Sequence, residues 1–375
     1  MSYLGENIPK LGFGLMRLPM IGDEVDIEQT KQMVDLFLSK GFTYFDTAYG
    51  YLNGKSEEAV KTALVDRYPR ESFQLATKLP AWAGAKNADE AKQMFYTSLE
   101  RTGAGYFDFY LLHNLGDTRT QIFEDFNIWD FVAEKKAEGL IRHIGFSMHD
   151  NAENLEKVLQ AHPEVEFVQL QLNYIDWESP SIQSRKCYEV ARKYNKPIIV
   201  MEPVKGGNLA TLPDHIAKIF TDYNPDSSLS SWAVRYVASL DGLITVLSGM
   251  STLEQMEDNL SYMEHFQPLT QEEQQVIARA VAELEKNPSV PCTGCAYCTK
   301  GCPSGINIPA IFKAINFKYV FDNDKISKFE YGWATGPDVG AKASACIACG
   351  QCEAVCPQSI PIIEELKKCA EFFEK

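Results

Sequence analysis

Residues 42–67 read FTYFDTAYGYLNGKSEEAVKTALVDR. FTYFDTA is a short, mostly apolar run of the length and composition that suits a buried strand. After the glycines and asparagine of YGYLNG, SEEAVKTALVDR places its apolar residues three and four apart, the period of a helix with one buried face. The stretch is one strand, one loop and one helix.

That unit recurs along the chain. Further apolar runs are LGFGLMRL (11–18), FQLATKL (73–79), FDFYLLH (107–113), IRHIGFS (141–147), EFVQLQLNY (166–174), PIIVMEPV (197–204) and LITVLSG (243–249). The helical patterns between and after them are IEQTKQMVDLFLSKG (27–41), ADEAKQMFYTSLERTG (88–103), the long TQIFEDFNIWDFVAEKKAEGL (120–140), ENLEKVLQAH (153–162), IQSRKCYEVARKYN (182–195), SLSSWAVRYVASLD (228–241) and TLEQMEDNLSYM (252–263). In the first of these, Met33, Leu36, Phe37 and the stem of Lys40 share a face. Gly41, Gly103 and Gly139 stand where helices end on a left-handed residue.

Strands alternating with helices imply a parallel sheet, and eight units in about 250 residues imply a closed (β/α)8 TIM barrel. A doubly wound sheet is the rival, but the glycines of LGFGLMRLP lack the third glycine of a dinucleotide fingerprint. After residue 264 the pattern changes. The helical stretch TQEEQQVIARAVAELEKN (270–287) leads to two cysteine runs, CTGCAYCTKGCP (292–303) and CIACGQCEAVCP (346–357). Between them lies an insert with a helical part, PAIFKAINFKYVF (309–321). The expected organisation is an α/β barrel over 1–270 and a small, mainly helical domain over 271–375 whose cysteine runs resemble those of ferredoxin-like iron–sulfur domains.

A net charge of −15 argues against a nucleic-acid partner, which calls for a basic face. No apolar stretch approaches the roughly 20 residues of a membrane span, and MSYLGENIPK lacks the basic start and apolar core of a secretory signal. The expectation is a cytoplasmic protein with neither nucleic-acid nor membrane partners. Eight of the ten cysteines lie in the two runs, and in a reducing compartment such clustering means metal ligation rather than disulfides. Cys187 and Cys369 fall in helical patterns and are expected to be buried thiols without chemistry.

Barrel active sites lie at the C-terminal ends of the strands. Those ends carry Asp46 and Tyr51 after the second strand, Lys78 in the third and His113 at the fourth. A tyrosine hydroxyl titrates near pH 10, and a nearby ammonium is expected to lower that value by favouring the phenolate. An aspartate can hold the lysine, and a histidine can orient a carbonyl or share its proton. Taken singly, Asp46 reads as a helix cap, Tyr51 as a loop residue, Lys78 as a solvated charge and His113 as a core histidine. Four in register at successive strands are harder to dismiss.

FDTAYGYLNGKSEEAV, LATKL and YLLHN resemble the signature of the aldo-keto reductases, and the resemblance covers about residues 8–265. It implies an oxidoreductase that reduces a small-molecule carbonyl substrate with NADP(H) or NAD(H). Tyr51 would be the general acid, supported by Lys78, Asp46 and His113. The cofactor pocket is matched by Ser147, Gln169, Met201, Gly249, Ser251, Gln255 and Asn259. Met201 stands where many members stack a tyrosine, and Met250 and Gln255 stand where many place a base against the 2′-phosphate.

Each cysteine run has the C-x₂-C-x₂-C-x₃-C-P spacing of bacterial two-cluster ferredoxins, in which the fourth cysteine serves the other cluster. That resemblance implies two 4Fe–4S clusters, one on Cys292, Cys295, Cys298 and Cys356, the other on Cys346, Cys349, Cys352 and Cys302. Zinc is the alternative, since four thiolates also suit it. Hydride transfer moves two electrons together and a cluster passes one, so direct coupling calls for a flavin, which no motif indicates, or for a substrate that accepts single electrons. The clusters then serve electron transfer, with a redox partner protein, or a structural or redox-sensing role. The remaining alternative is an electron-transfer or sensing protein whose barrel is a docking or binding module.

Overall fold

The computed structural model describes residues 3–116, 119–337 and 339–375. The chain divides into two compact units, one formed by Met1–Lys205 with Ser230–Thr270, the other by Gly206–Leu229 with Gln271–Lys375. The second unit therefore takes in a segment that leaves the barrel sequence just after its seventh strand.

In the first unit all eight expected strands form: β1 (Leu11–Gly14), β2 (Tyr44–Asp46), β3 (Gln74–Leu79), β4 (Phe107–Leu115), β5 (Ile141–Met148), β6 (Phe167–Gln171), β7 (Ile198–Met201) and β8 (Leu243–Ser248). They pair in parallel in chain order, and β1 closes the barrel against β8. A two-stranded ribbon, Met20–Ile21 with Glu24–Val25, precedes the first helix. The barrel interior is plugged by Tyr44, Phe109, Leu111, Phe167, Ile199 and Ile244, so it is a packed core and leaves its chemistry to the strand ends. Outside the wall, Phe37 of the helix Ile27–Ser39 meets Phe13 at 5.8 Å and Phe45 at 5.3 Å between ring centroids.

Three details depart from the sequence reading. Lys40 is exposed and pairs with Glu264 at 2.9 Å, so its stem does not join the buried face of Met33 and Phe37. The long helix after β4 is two helices, Thr120–Asp125 and Ile128–Ala137, broken where Asn127 turns left-handed at φ 51°. Asparagine tolerates that conformation better than most residues. Helices Asp214–Thr221 and Asp324–Ala334 form where no helix was expected. Gly41, Gly103 and Gly139 are left-handed at helix ends, as the pattern requires.

In the second unit, Ile308–Phe321 and Asp324–Ala334 start from the asparagine caps Asn307 and Asn323. They pack with Ile362–Phe373 around Ile311, Phe312, Ile315 and Leu366. The two cysteine runs repeat one local fold. Gly294 and Ala348 are both left-handed, as are Ala296 and Gly350, which start the short helices Tyr297–Lys300 and Gln351–Ala354. Cys187 and Cys369 are buried, and burial pushes both thiols up to about 12. No helix among the described residues is long and apolar enough to cross a membrane.

The site depends on a close approach of β5 to β6, which pairs Ser147 with Gln169. Gly145 permits it: an added Cβ would lie 2.6 Å from both the ring and the carbonyl oxygen of Phe167. Gly145→Ala should therefore cost about 1–3 kcal/mol by overpacking, measured as a lowered denaturation midpoint. An unchanged midpoint would contradict this packing.

Candidate active site

The mouth of the barrel is set by register. Asp46 ends β2, Lys78 sits near the end of β3, and His113 lies near the end of β4. Lys78 Nζ donates to Asp46 Oδ1, to the Thr47 carbonyl at 2.8 Å and to Tyr51 Oη at 3.4 Å. The Asp46 carboxylate also accepts from Gln169 Nε2 at 3.1 Å, across the barrel from β6. The imidazole of His113 meets the Tyr51 ring edge-on at 5.9 Å. All four residues of the expected tetrad are brought together.

The loop that carries Tyr51 is tightly constrained. Leu52, Asn53 and Gly54 are consecutively left-handed, a conformation that costs about 1–3 kcal/mol for a residue such as leucine and marks a segment held by its surroundings. Arg101 supplies part of that hold, donating to the Tyr49 carbonyl at 3.0 Å. Its guanidinium would lie 2.8 Å from a Cβ at Gly54, so glycine is needed there twice over.

Burial dominates the electrostatics. It pushes the Asp46 carboxyl up, against the Lys78 ammonium and the Gln169 amide, which favour its charge. Burial also opposes the charge on Lys78, but Asp46 and Tyr51 outweigh it and raise the amine above its ordinary value, so Lys78 is a cation. The Tyr51 hydroxyl is raised by burial, opposed by Lys78 and aided by Asp46 and Glu202. This corrects the sequence expectation: the ammonium does pull Tyr51 down, but desolvation wins and the phenol stays protonated. His113 is held well below its ordinary range by burial and then by Lys78, His149 and Arg119. It is a neutral imidazole, and among the described residues its buried Nδ1 has no hydrogen-bond partner.

The residues matched to a cofactor pocket lie on the same end of the barrel. Ser147 Oγ accepts from the Asn114 amide at 2.8 Å, next to His113. Met201 ends β7 and is half-buried. Gly249 is exposed, and Ser251 Oγ donates to the Arg17 carbonyl at 2.6 Å. The side chain of Gln255 accepts from the Ser251 amide at 2.8 Å. Asn259 donates to the Gln255 carbonyl at 2.9 Å, while its buried Oδ1 has no partner among the described residues. Met250 is 1% exposed and belongs to the core, so its side chain is removed from any nucleotide surface.

The eight clustered cysteines divide between two cavities. Cys292, Cys295 and Cys298 of the first run and Cys356 of the second line one, walled by Ile308, Phe312, Ile360 and Ile362. Cys346, Cys349 and Cys352 of the second run and Cys302 of the first line another, walled by Ile306, Ile308, Ile363 and Leu366. In each, the last cysteine comes from the other run.

The model of the aldo/keto reductase family matches residues 10–282. The chain belongs to that family. A model of the 4Fe–4S dicluster domain matches residues 291–360, so this aldo/keto reductase is an oxidoreductase with an added iron–sulfur domain. A Bacillus subtilis protein described as an uncharacterized oxidoreductase is 25% identical over 278 residues, 68% of this chain and 87% of its own length. An aldo-keto reductase of Mycolicibacterium smegmatis is 30% identical over 143 residues, 38% of this chain, and the match spans 47% of that relative's length. Among solved structures, the holo form of a Bacillus halodurans aldo-keto reductase superposes with a TM-score of 0.58 at 26% identity, covering 74% of this chain and 95% of its own. A Klebsiella pneumoniae aldo-keto reductase in complex with NADPH gives 0.58 at 22%, covering 72% and 90%.

Beyond the tetrad, this reductase's site contains residues that sequence reasoning missed. Trp82 Nε1 donates to the His113 carbonyl at 2.6 Å, with its ring 6.1 Å from the imidazole. Arg119 lies over the Trp82 ring at 5.1 Å. Trp82 follows β3 by three residues, and that position in a barrel was the available signal.

These shifts set a pH profile. His113 titrates below its ordinary 6.5 and Tyr51 above its ordinary 10.0, so neither changes charge between those limits. A reaction in which Tyr51 gives a proton beside a neutral His113 should be flat across that window and fall only as alkali removes the Tyr51 proton. A kcat/KM profile that drops with a midpoint near neutrality would contradict the assignment.

Proposed function

We propose that the barrel reduces an aldehyde or ketone on a small molecule with NADPH, Tyr51 giving the proton. The observation that carries this reading is the Tyr51 hydroxyl, part-buried, raised above its ordinary value by desolvation and 3.4 Å from a lysine ammonium that is itself pinned by a buried carboxylate. When bound, NADPH supplies the hydride to the carbonyl carbon. Tyr51 delivers its proton to the carbonyl oxygen, which completes the alcohol. The charge left on the phenol oxygen falls beside Lys78 in a dry site, where the ammonium counts for more than it does against the neutral phenol. Thus Lys78 stabilises the reacting state more than the resting one. His113, neutral and edge-on to Tyr51, can donate to the same oxygen from a ring nitrogen and orient it.

NADPH is the cofactor that the family resemblance implies, and a Klebsiella pneumoniae aldo-keto reductase of the same fold is solved in complex with it. Ser147, Gln169 and Met201 would hold its nicotinamide end. Gly249, Ser251, Gln255 and Asn259 would hold the nucleotide, and the orphaned Asn259 Oδ1 suits a donor on that ligand. The loop also leads into the Thr252-capped helix Leu253–Met263, whose N-terminus favours phosphate.

The second part of the proposal is one 4Fe–4S cluster on Cys292, Cys295, Cys298 and Cys356 and another on Cys346, Cys349, Cys352 and Cys302. Four sulfurs around an apolar-walled cavity are the donor set and surroundings such a cluster takes. When bound, the clusters pass electrons one at a time. Cys295 and Cys349 are exposed, so one edge of each quartet is open to a redox partner, which favours electron exchange over a structural role.

Two outcomes test this reading. Tyr51→Phe should lower kcat for carbonyl reduction by roughly 10²–10⁴, and unchanged turnover would reject the proton donor. Anaerobically purified protein should carry about eight irons per chain; stoichiometric zinc without iron after anaerobic reconstitution would reject the clusters.

A further inference from the structure

The rim of the barrel carries a cation that the carbonyl chemistry does not use. Arg119 follows β4, and a series of ring contacts leads to it from the reacting hydroxyl. Tyr51 meets His113 at 5.9 Å, His113 meets Trp82 at 6.1 Å, and Trp82 lies beneath the Arg119 guanidinium at 5.1 Å. The indole cannot swing freely, since its Nε1 is fixed to the His113 carbonyl at 2.6 Å. The Arg119 backbone is held as well, its amide donating to the Gly116 carbonyl at 3.0 Å.

Its side chain is spent differently. Among the described residues the guanidinium has no hydrogen bond or ion pair beyond the indole face, and the acid whose charge reaches it is Asp150. It is partly buried. A guanidinium remains charged and presents five N–H donors in a planar fork that matches a carboxylate or phosphate. Here that fork is already oriented by stacking, which lowers the entropy lost when an anion binds. The rest of the molecule works against anions, with a net charge of −15, so a local cation is what an anionic substrate would need at this mouth.

We propose that Arg119 binds an anionic group of the substrate, so that the barrel selects carbonyl compounds bearing a carboxylate or phosphate a short spacer away from the reacting carbon. The proposal rests on the carbonyl-reductase reading for its chemistry, but the anion site can be measured separately.

The experiment compares matched pairs on the full chain: 4-oxobutanoate against butanal, and glyceraldehyde 3-phosphate against glyceraldehyde. The anionic member of at least one pair should have kcat/KM about tenfold or more above its neutral partner, chiefly through KM. Whichever pair shows the preference identifies the anion. Arg119→Gln should bring that ratio close to one, and Arg119→Lys should restore part of it, since an ammonium keeps the charge but loses the fork. In parallel, succinate and inorganic phosphate are titrated calorimetrically into the wild type and Arg119→Gln. Turnover with no anion preference, or a preference that Arg119→Gln leaves intact, overturns the anion site and spares the reductase reading. No carbonyl turnover, with an anion that binds the wild type at least tenfold more tightly than Arg119→Gln, overturns the reductase reading and supports the anion site. No turnover and no anion binding overturns both.

Discussion

Lys78 and Asp46 form an ion pair inside the mouth of the barrel, their side chains 0% and 3% exposed. Removing two charges from water is costly, and their attraction repays it only with good geometry and further hydrogen bonds. The barrel provides both. Strand register puts β2 and β3 side by side, the Thr47 carbonyl takes a second Lys78 proton, and Gln169 reaches Asp46 from β6. Tyr51 is then placed against the one ammonium donor left over. Truncating either charge would strand the other, at a cost of about 3–5 kcal/mol. The site and the stability of the barrel mouth are thus one problem.

Much of this was legible in the sequence for a physical reason. A parallel barrel repeats one unit eight times, so its period survives in the chain, and the rule that chemistry sits at strand ends turned Asp46, Tyr51, Lys78 and His113 into one site. The conflict between burial and charge was not legible. Sequence reasoning saw the ammonium beside Tyr51 but had no measure of desolvation, which reverses the net shift. Nor could periodicity show the break at Asn127, because the apolar spacing continues through it. Met250 follows a strand end but turns into the core. Trp82 and Arg119 lie in loops, where pattern carries little information, and only the folded rim brings them beside His113.

The cysteine quartets follow a different logic. Their grouping exchanges one residue between runs that are 54 positions apart, and of the intervening helices, Ile308–Phe321, packed against Asp324–Ala334, lends Ile308 to the walls of both cavities. In the proposed reading, those helices set the distance between the runs, and the clusters in turn hold the unit together. In the same reading, hydride chemistry in the barrel would move electron pairs and the clusters single electrons. The two parts of the chain would then handle reduction differently, and an anionic substrate would have to be recognised wholly within the barrel.

The account turns on Tyr51 being a neutral proton donor beside a charged lysine. The most direct measurement is a nuclear magnetic resonance titration of the protein carrying ¹³Cζ-tyrosine, with the Tyr51 resonance assigned by its loss in Tyr51→Phe. The account predicts a phenol signal that keeps its protonated chemical shift up to and beyond pH 10.0, the ordinary tyrosine value. A phenolate shift appearing near neutral pH would contradict it, because the ammonium would then outweigh burial and the hydroxyl would have no proton to give.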